Sequence, residues 1–283
     1  MPDTENKLCY DLHSHSTSSD GELSPTDLVK YAHDKGVTEL ALTDHDNTAG
    51  IAEARLQADQ LGMNLINGVE VSSIWNNRLV HIVGLNFDTE NQALQKGLAD
   101  LRKQREERGE KIGRRLEKLG ICGALAGARQ FSNGQILSRT HFARYLVESG
   151  VVKNPNEAFK KYLGDGKPAC VTSEWASMEQ TVEWIKGAGG HAVIAHPARY
   201  KLSATRLRLF IEDFVACGGQ GFEVVSGSQD AAENRKMADY ALRYELYASK
   251  GSDYHGPNQP WLSMGRMPDL PAACTPIWSL WEH

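Results

Sequence analysis

The chain has 283 residues, 41% hydrophobic and 24% charged, with a formal net charge of -5. These are the proportions of an ordinary globular protein and exclude a disordered or fibrous one. The length suits one large α/β domain, or one domain carrying an insertion, and the acidic balance excludes a chain-wide basic excess of the nucleic-acid-binding kind, so any anion must be attracted locally.

The start, MPDTENKLCY, has no basic patch followed by an apolar run, and no stretch approaches the ~18 apolar residues of a membrane span. A cytoplasmic location with no membrane association is expected. Five cysteines (Cys9, Cys122, Cys170, Cys217, Cys274) are odd in number, spread out and free of any CxxC pair, which indicates neither a disulfide framework nor a zinc ribbon.

In chain order, "YDLHSHSTSSDG" reads as a strand end followed by a polar turn. Side chains alternate across a strand, so His13 and His15 point the same way, with Asp20 in the turn beyond them. A helical pattern over 25–35 follows, then the strand "TELALTDHD" carrying His45. Its neighbours Asp44 and Asp46 should point away from His45 and orient it as second partners. A helix over 49–61 leads to "NLINGVEVSS" with Glu70 and "LVHIVGLNF" with His81. From 91 to 119 one long helical pattern carries Leu94, Leu98, Leu101, Ile112, Leu116 and Leu119 on a common stripe. Two shorter helices around 141–148 and 156–163 lie between the turn signals "SNG", "NPN" and "GDGKP". Beyond a helix over 178–188, "HAVIAHPARY" brings His196 and Arg199, "GFEVVSGS" brings Glu223, and "LYASKGSDYH" brings Asp253 and His255.

Strands alternating with helices predict parallel pairing through crossovers, with the site at the strands' C-terminal ends. Residues 8–94 and 173–283 are expected to form a barrel holding the site, and 95–172 a small helical insertion capping it.

The chemistry rests on number. A lone HxH is more often packing than a ligand pair, but six segments deliver nine groups: His13, His15, Asp20, His45, Glu70, His81, His196, Asp253 and His255. Imidazole and carboxylate without thiolate suit Mn, Fe(II) or Zn in a hydrolytic site and disfavour a closed structural zinc. Three divalent ions among the three carboxylates would leave +6 - 3 = +3, which attracts phosphate despite the acidic chain. Neighbouring ions acidify a water and hold phosphoryl oxygens for in-line attack, so no side-chain nucleophile is required.

Taken together, "DLHSHSTSSDG", "LALTDHD", "GVEVSS", "HIVG", "AHPARY" and "GSDYH" resemble the PHP (polymerase and histidinol phosphatase) family of metal-dependent phosphoesterases. The resemblance implies a distorted (β/α)7 TIM-like barrel and a trinuclear metal centre. It implies that His13, His15, Glu70 and Asp253 hold one ion, that Glu70 bridges to a second held with His81 and His196, and that Asp20, His45 and His255 hold the third. Mn2+ is the first expectation, with Fe2+ or Zn2+ as alternatives. Within the family, "SRTHFARYLVESG", "FKKYL" and "IWSLWE" are similar to the bacterial 3',5'-nucleoside bisphosphate phosphatases. Relatives of that group are described as RNase AM, a 5'-to-3' exoribonuclease. A nucleotide or short RNA is therefore the expected substrate, with no obligate protein partner, and histidinol-phosphatase-like or protein-tyrosine phosphatase activity is the rival. A metal-stabilised scaffold without catalysis is a further alternative, and a polymerase-associated proofreading module is not expected in 283 residues, which leave no room for a polymerase.

Arg199, Arg139 and His141 are candidate phosphate binders, since a guanidinium matches phosphate oxygens in a bidentate fork. Arg144 reads as a helix-surface charge. Residues 102–118 hold eight basic and four acidic side chains, most of them a solvated face; Arg105 and Arg108 fall on the apolar stripe and are candidates to reach a second phosphate. Glu223 is either a partner of a ligand or a satisfied buried charge. His33, His191 and His283 lie outside the motifs, and Trp278 and Trp281 read as packing rather than a stacking platform.

Overall fold

The computed structural model describes residues 8–132, 136–257 and 264–281; His283 lies outside them. Strand β1 (Tyr10–Asp11) is followed by α1 (Pro25–Asp34), whose N-terminus is capped by Ser24 accepting from the Asp27 backbone N–H. Next come β2 (Glu39–Leu42), α2 (Ile51–Leu61), β3 (Asn64–Trp75) and β4 (Arg78–Leu85). The helical stretch comprises α3 (Gln92–Lys118), α4 (Ala124–Phe131), α5 (Arg139–Glu148) and α6 (Pro155–Ala158), the last running into a π-helical turn at Phe159–Leu163. The chain then continues through β5 (Ala176–Ser177), α7 (Met178–Gly187), β6 (His191–Ile194), α8 (Ala204–Ala216), β7 (Gly221–Ser226), α9 (Ala231–Arg243) and β8 (Tyr247–Gly251).

The strands form one sheet in the order β1-β2-β3-β4-β6-β7-β8, with β5 added beside β3. Its ends approach each other: Leu12 N–H donates to the Lys250 carbonyl at 3.0 Å and His15 N–H to the Tyr254 carbonyl at 2.9 Å, so the sheet nearly closes into a barrel. No helix among the described residues is long and apolar enough to cross a membrane.

One strand departs from the parallel pattern. β4 runs antiparallel to both β3 and β6. The cause is local: Asn76 and Asn77 both adopt positive φ, 46° and 58°, the two-residue turn that matches the twist of a hairpin, so no crossover helix intervenes. Reversal brings the early part of β4 level with the late part of β3, pairing His81 with Ser72 and Val83 with Glu70. His81 therefore reaches the common face from the N-terminal half of its strand.

Alternation then sorts the core. Leu65, Val69, Val71, Val80 and Ile82 belong to the large apolar cluster between sheet and helices, whereas Ile66, Val83, Leu85, Val193 and Tyr10 fill the barrel interior. Trp278 closes that interior layer, stacked on Tyr10 at 3.8 Å between ring centroids. His191, with its ring 5.4 Å from that of Trp281 and Nδ1 3.0 Å from Gln220, packs in the same layer; His33 is exposed. Both tryptophans pack, as expected. The helical stretch has an apolar cluster of its own, including Ile112, Leu116, Phe142, Leu146 and Leu163.

Candidate metal centre

Above the apolar interior the same faces turn polar. Glu70 lies on the interior side of β3 with Ile66, and His81 on that of β4 with Val83 and Leu85. His13 and His15 follow β1, His45 follows β2, and Asp20 comes from the turn before α1. His196, just past β6, and Asp253, past β8, are held at positive φ, 30° and 54°. A non-glycine residue in that region costs of order 1–3 kcal/mol, and the surrounding packing must impose it. Gly251 shows how tight the packing is: a Cβ there would lie 2.2 Å from that of His13.

Glu70 is the hub. Its Oε1 lies 2.9 Å from His81 Nδ1, 2.9 Å from His196 Nε2 and 3.4 Å from His13 Nε2. Its Oε2 lies 2.9 Å from His45 Nδ1 and 3.3 Å from His15 Nε2. Asp253 Oδ1 stands 3.1 Å from His15 Nε2 and 3.4 Å from His13 Nε2, while Asp20 Oδ1 stands 3.3 Å from His255 Nε2 and 3.8 Å from His45 Nε2. All nine expected side chains lie in this one cluster.

The outer contacts fix which ring nitrogen faces inward. His13 Nδ1 meets Glu223 Oε1 at 3.1 Å and His255 Nδ1 meets the Asp253 carbonyl at 2.9 Å, leaving Nε2 of each toward the cluster. Glu223 also accepts from the His196 backbone N–H, so one buried carboxylate ties β1 to the end of β6. Tyr200 Oη accepts from the His81 N–H at 2.8 Å.

Burial alone would raise the carboxyl groups, yet His81, His45 and His13 hold Glu70 well below the usual range, and Arg199 and His13 do the same for Asp253. Asp20 is likewise held low, by His45 and His255. Burial opposes protonation of His15, but Asp253 and Glu70 raise it to about 10; for His45 burial wins and its value falls to about 4. Three ionised carboxylates thus face imidazoles in a desolvated pocket.

The donor set fits divalent ions. Among the described residues, His13 Nε2, Asp20 Oδ1, His45 Nδ1 and Glu70 Oε2 are buried polar atoms that make no contact with hydrogen-bond geometry, and such atoms normally cost about 1–3 kcal/mol each. Among the described residues, three groups have ligand atoms within 4.8 Å of one another: His15, Asp20, His45 and His255; His13, His15, Glu70 and Asp253; and His45, Glu70 and His81. The first two contain the expected sets. In the third, His45 stands where His196 was expected, although His196 Nε2 also lies 2.9 Å from Glu70 Oε1.

The flanking aspartates act differently from the expectation. Asp44 accepts from the Ser16 N–H (2.8 Å), Ser16 Oγ (2.6 Å) and Ser19 Oγ (2.5 Å), so it fixes the turn carrying Asp20. Asp46 accepts from Arg105 Nε at 2.6 Å and the Ser72 N–H at 2.7 Å, docking α3 onto β3. Arg144 is a correction: rather than projecting from a helix surface, it donates to the Asp20 carbonyl at 2.8 Å.

A cavity of about 190 Å³ opens on the cluster, lined by Arg105, Arg108, Arg139 and Arg199 among others. Arg199 bonds Asp253 and donates to Ser228 Oγ at 2.9 Å. Arg139 stands 3.4 Å from the exposed Asp165. Arg108 donates to the Val171 carbonyl at 3.0 Å and makes no ion pair among the described residues; burial, then Arg139 and Arg105, pull it down to about 9. His141 is fully buried outside the cavity lining, its Nδ1 accepting from the Ser138 N–H.

Residues 11–96 match the PHP domain. The chain is 49% identical over 269 residues to the 3',5'-nucleoside bisphosphate phosphatase of Chromobacterium violaceum, covering 95% of this chain and 94% of that one. The chain belongs to the PHP family. A second relative, the Escherichia coli 5'-3' exoribonuclease Rnm, is 44% identical over 285 residues, covering 100% and 97%. A solved Chromobacterium violaceum structure, described as an amidohydrolase with bound sulfate and no metal, superposes with a TM-score of 0.92 at 48% identity over 95% and 94% of the two chains.

Proposed function

We propose that this PHP protein is a metal-dependent phosphoesterase that takes 3',5'-nucleoside bisphosphates such as pAp to the 5'-monophosphate and removes successive nucleotides from the 5' end of short RNA. One observation carries this reading: Glu70 within 3.4 Å of five histidine nitrogens, beneath a cavity rimmed by four arginines. Phosphatase and exoribonuclease names among full-length relatives support it.

His13, His15, Asp20, His45, Glu70, His81, His196, Asp253 and His255 would hold three divalent ions, Mn2+ first among them and Fe2+ or Zn2+ as alternatives. When bound, such ions supply Lewis acidity to the phosphoryl oxygens and a water acidic enough to attack near neutral pH. The chain's own residues do the rest. Glu223 and the Asp253 carbonyl fix two imidazole tautomers, and Asp44 and Arg144 hold the Asp20 turn. Arg199 and Arg139, with the unpaired Arg108, form the anion receptor for a phosphate that is not cleaved; His141 shapes it by capping the turn that carries Arg139. That remote phosphate orients the scissile ester as well as holding it. In the exoribonuclease mode it is the RNA 5'-phosphate, so one geometry serves both reactions. Residues 95–172 serve as the cap that brings Arg108 and Arg139 over the site. The five cysteines form no disulfide among the described residues, which accords with a reducing cytoplasm.

Turnover of pAp, a 5'-phosphorylated oligoribonucleotide, histidinol phosphate, a phosphotyrosine peptide and an aryl phosphate tests the assignment. The first two should be preferred. Arg199→Ala should lower kcat/KM for them about ten- to a hundredfold, the loss of one charged contact of about 1.5–3 kcal/mol. The aryl phosphate, with no second phosphate, should lose far less. Preference for histidinol phosphate or phosphotyrosine would overturn the reading.

A further inference from the structure

The pocket over the metal centre, at about 190 Å³, is smaller than the ~300–1,000 Å³ in which a drug-sized ligand is enclosed. It has room for a phosphoryl group but not for a nucleotide chain. A second cavity of about 940 Å³ adjoins it. Leu79, Arg108, Arg139, Trp175 and Arg199 line both, so these residues form the junction. Beyond the junction the walls are the β3–β4 hairpin on one side and the segment 165–177 on the other, with Tyr200 and the first turn of α8 between.

Charge in this groove is opposite to that of the chain. Arg78, Arg108, Arg139, Arg199 and Arg206 line it against Asp165 and Glu174, so 5 - 2 gives +3 in a protein of net -5. Arg78 and Arg206 line the groove without lining the metal pocket, which places them beyond the junction. Both are exposed; Arg78 is steered by its 3.2 Å bond to the Tyr200 carbonyl. The side chains of Asn76, Asn77, Thr172 and Ser173 add neutral donors and acceptors along the same walls. A positively charged groove that follows the backbone, with aromatic side chains such as Trp175 and Tyr200 on which bases can stack, is how single strands are held.

We infer that this groove is the track for the single-stranded RNA lying 3' of the scissile bond, with Arg78 and Arg206 contacting downstream phosphates. The inference rests on the phosphoesterase reading and extends it. It explains why one active site serves a mononucleotide and a polynucleotide: pAp engages the metal centre and the junction arginines without reaching Arg78 or Arg206, whereas RNA also runs from its scissile phosphate along the groove to them.

The test is the double variant Arg78→Gln, Arg206→Gln, which removes two charges and keeps a donor for the Tyr200 carbonyl. The readout is kcat/KM for a 5'-phosphorylated decaribonucleotide relative to pAp, over a range of salt. The ratio should fall about tenfold, and the slope of log kcat/KM against log salt for RNA should shrink by about 1.4, two contacts at about 0.7 each. Equal losses on both substrates, or an unchanged ratio and slope, would overturn the track. Wild-type enzyme that hydrolyses pAp yet leaves RNA intact would also overturn the track while leaving the metal-centre reading in place. Failure on pAp and RNA alike would remove that reading itself.

Discussion

Glu70 touches histidines from β1, β2, β4 and β6, so its carboxylate compensates more of the centre's charge than any terminal ligand does. Glu70→Gln should therefore release more metal and lose more turnover than His255→Asn, which removes one terminal imidazole facing Asp20. Metal content by elemental analysis and kcat on one substrate decide it, and the reverse ranking would show that Glu70 is not the bridge. The nine clustered side chains were legible in the sequence because they sit on strands or just past them in recognisable local motifs. The contacts that hold them were less so: Asp46 finds Arg105, Arg144 finds the Asp20 carbonyl and Tyr200 finds the His81 N–H across 59 to 124 positions of sequence. Only the fold sets those pairings, and no periodicity announces them.

At the scale of elements, α5 depends on His141. It occupies the third helical position of a capping box, where Glu or Gln is the usual residue, and its Nδ1 accepts from the Ser138 N–H. Burial, opposed by Asp20 and reinforced by Arg144, lowers its value from 6.5 to about 4. A histidine depressed in the folded state binds its proton more readily unfolded. Its contribution is thus present above pH 6.5 and lost as pH falls toward 4, by about 3 kcal/mol at most. In urea unfolding, His141→Gln keeps the cap and removes the titration, so the wild type should lose that much more stability than the variant between those pH values. Parallel curves would show that His141 does not titrate with folding. The helices were legible from their 3.6-residue pattern and capping residues. The direction of β4 was not, because an apolar strand reads the same either way and only the positive φ at Asn76 and Asn77 reveals the hairpin.

At the scale of the whole molecule, barrel interior, metal pocket and groove form one sequence of layers: apolar side chains below, ligands above them, guanidinium groups over the ligands. The groove was the least legible part, since its walls come from a hairpin, a loop after the helical stretch and the start of α8. Every nucleophile-activating group in this account is also a candidate ligand, so the central claim stands on dependence of turnover on bound divalent ions. Protein treated with chelator, freed of it by gel filtration and verified metal-free should hydrolyse no pAp, and added Mn2+ should restore turnover best. Full turnover by the metal-free protein would contradict the account.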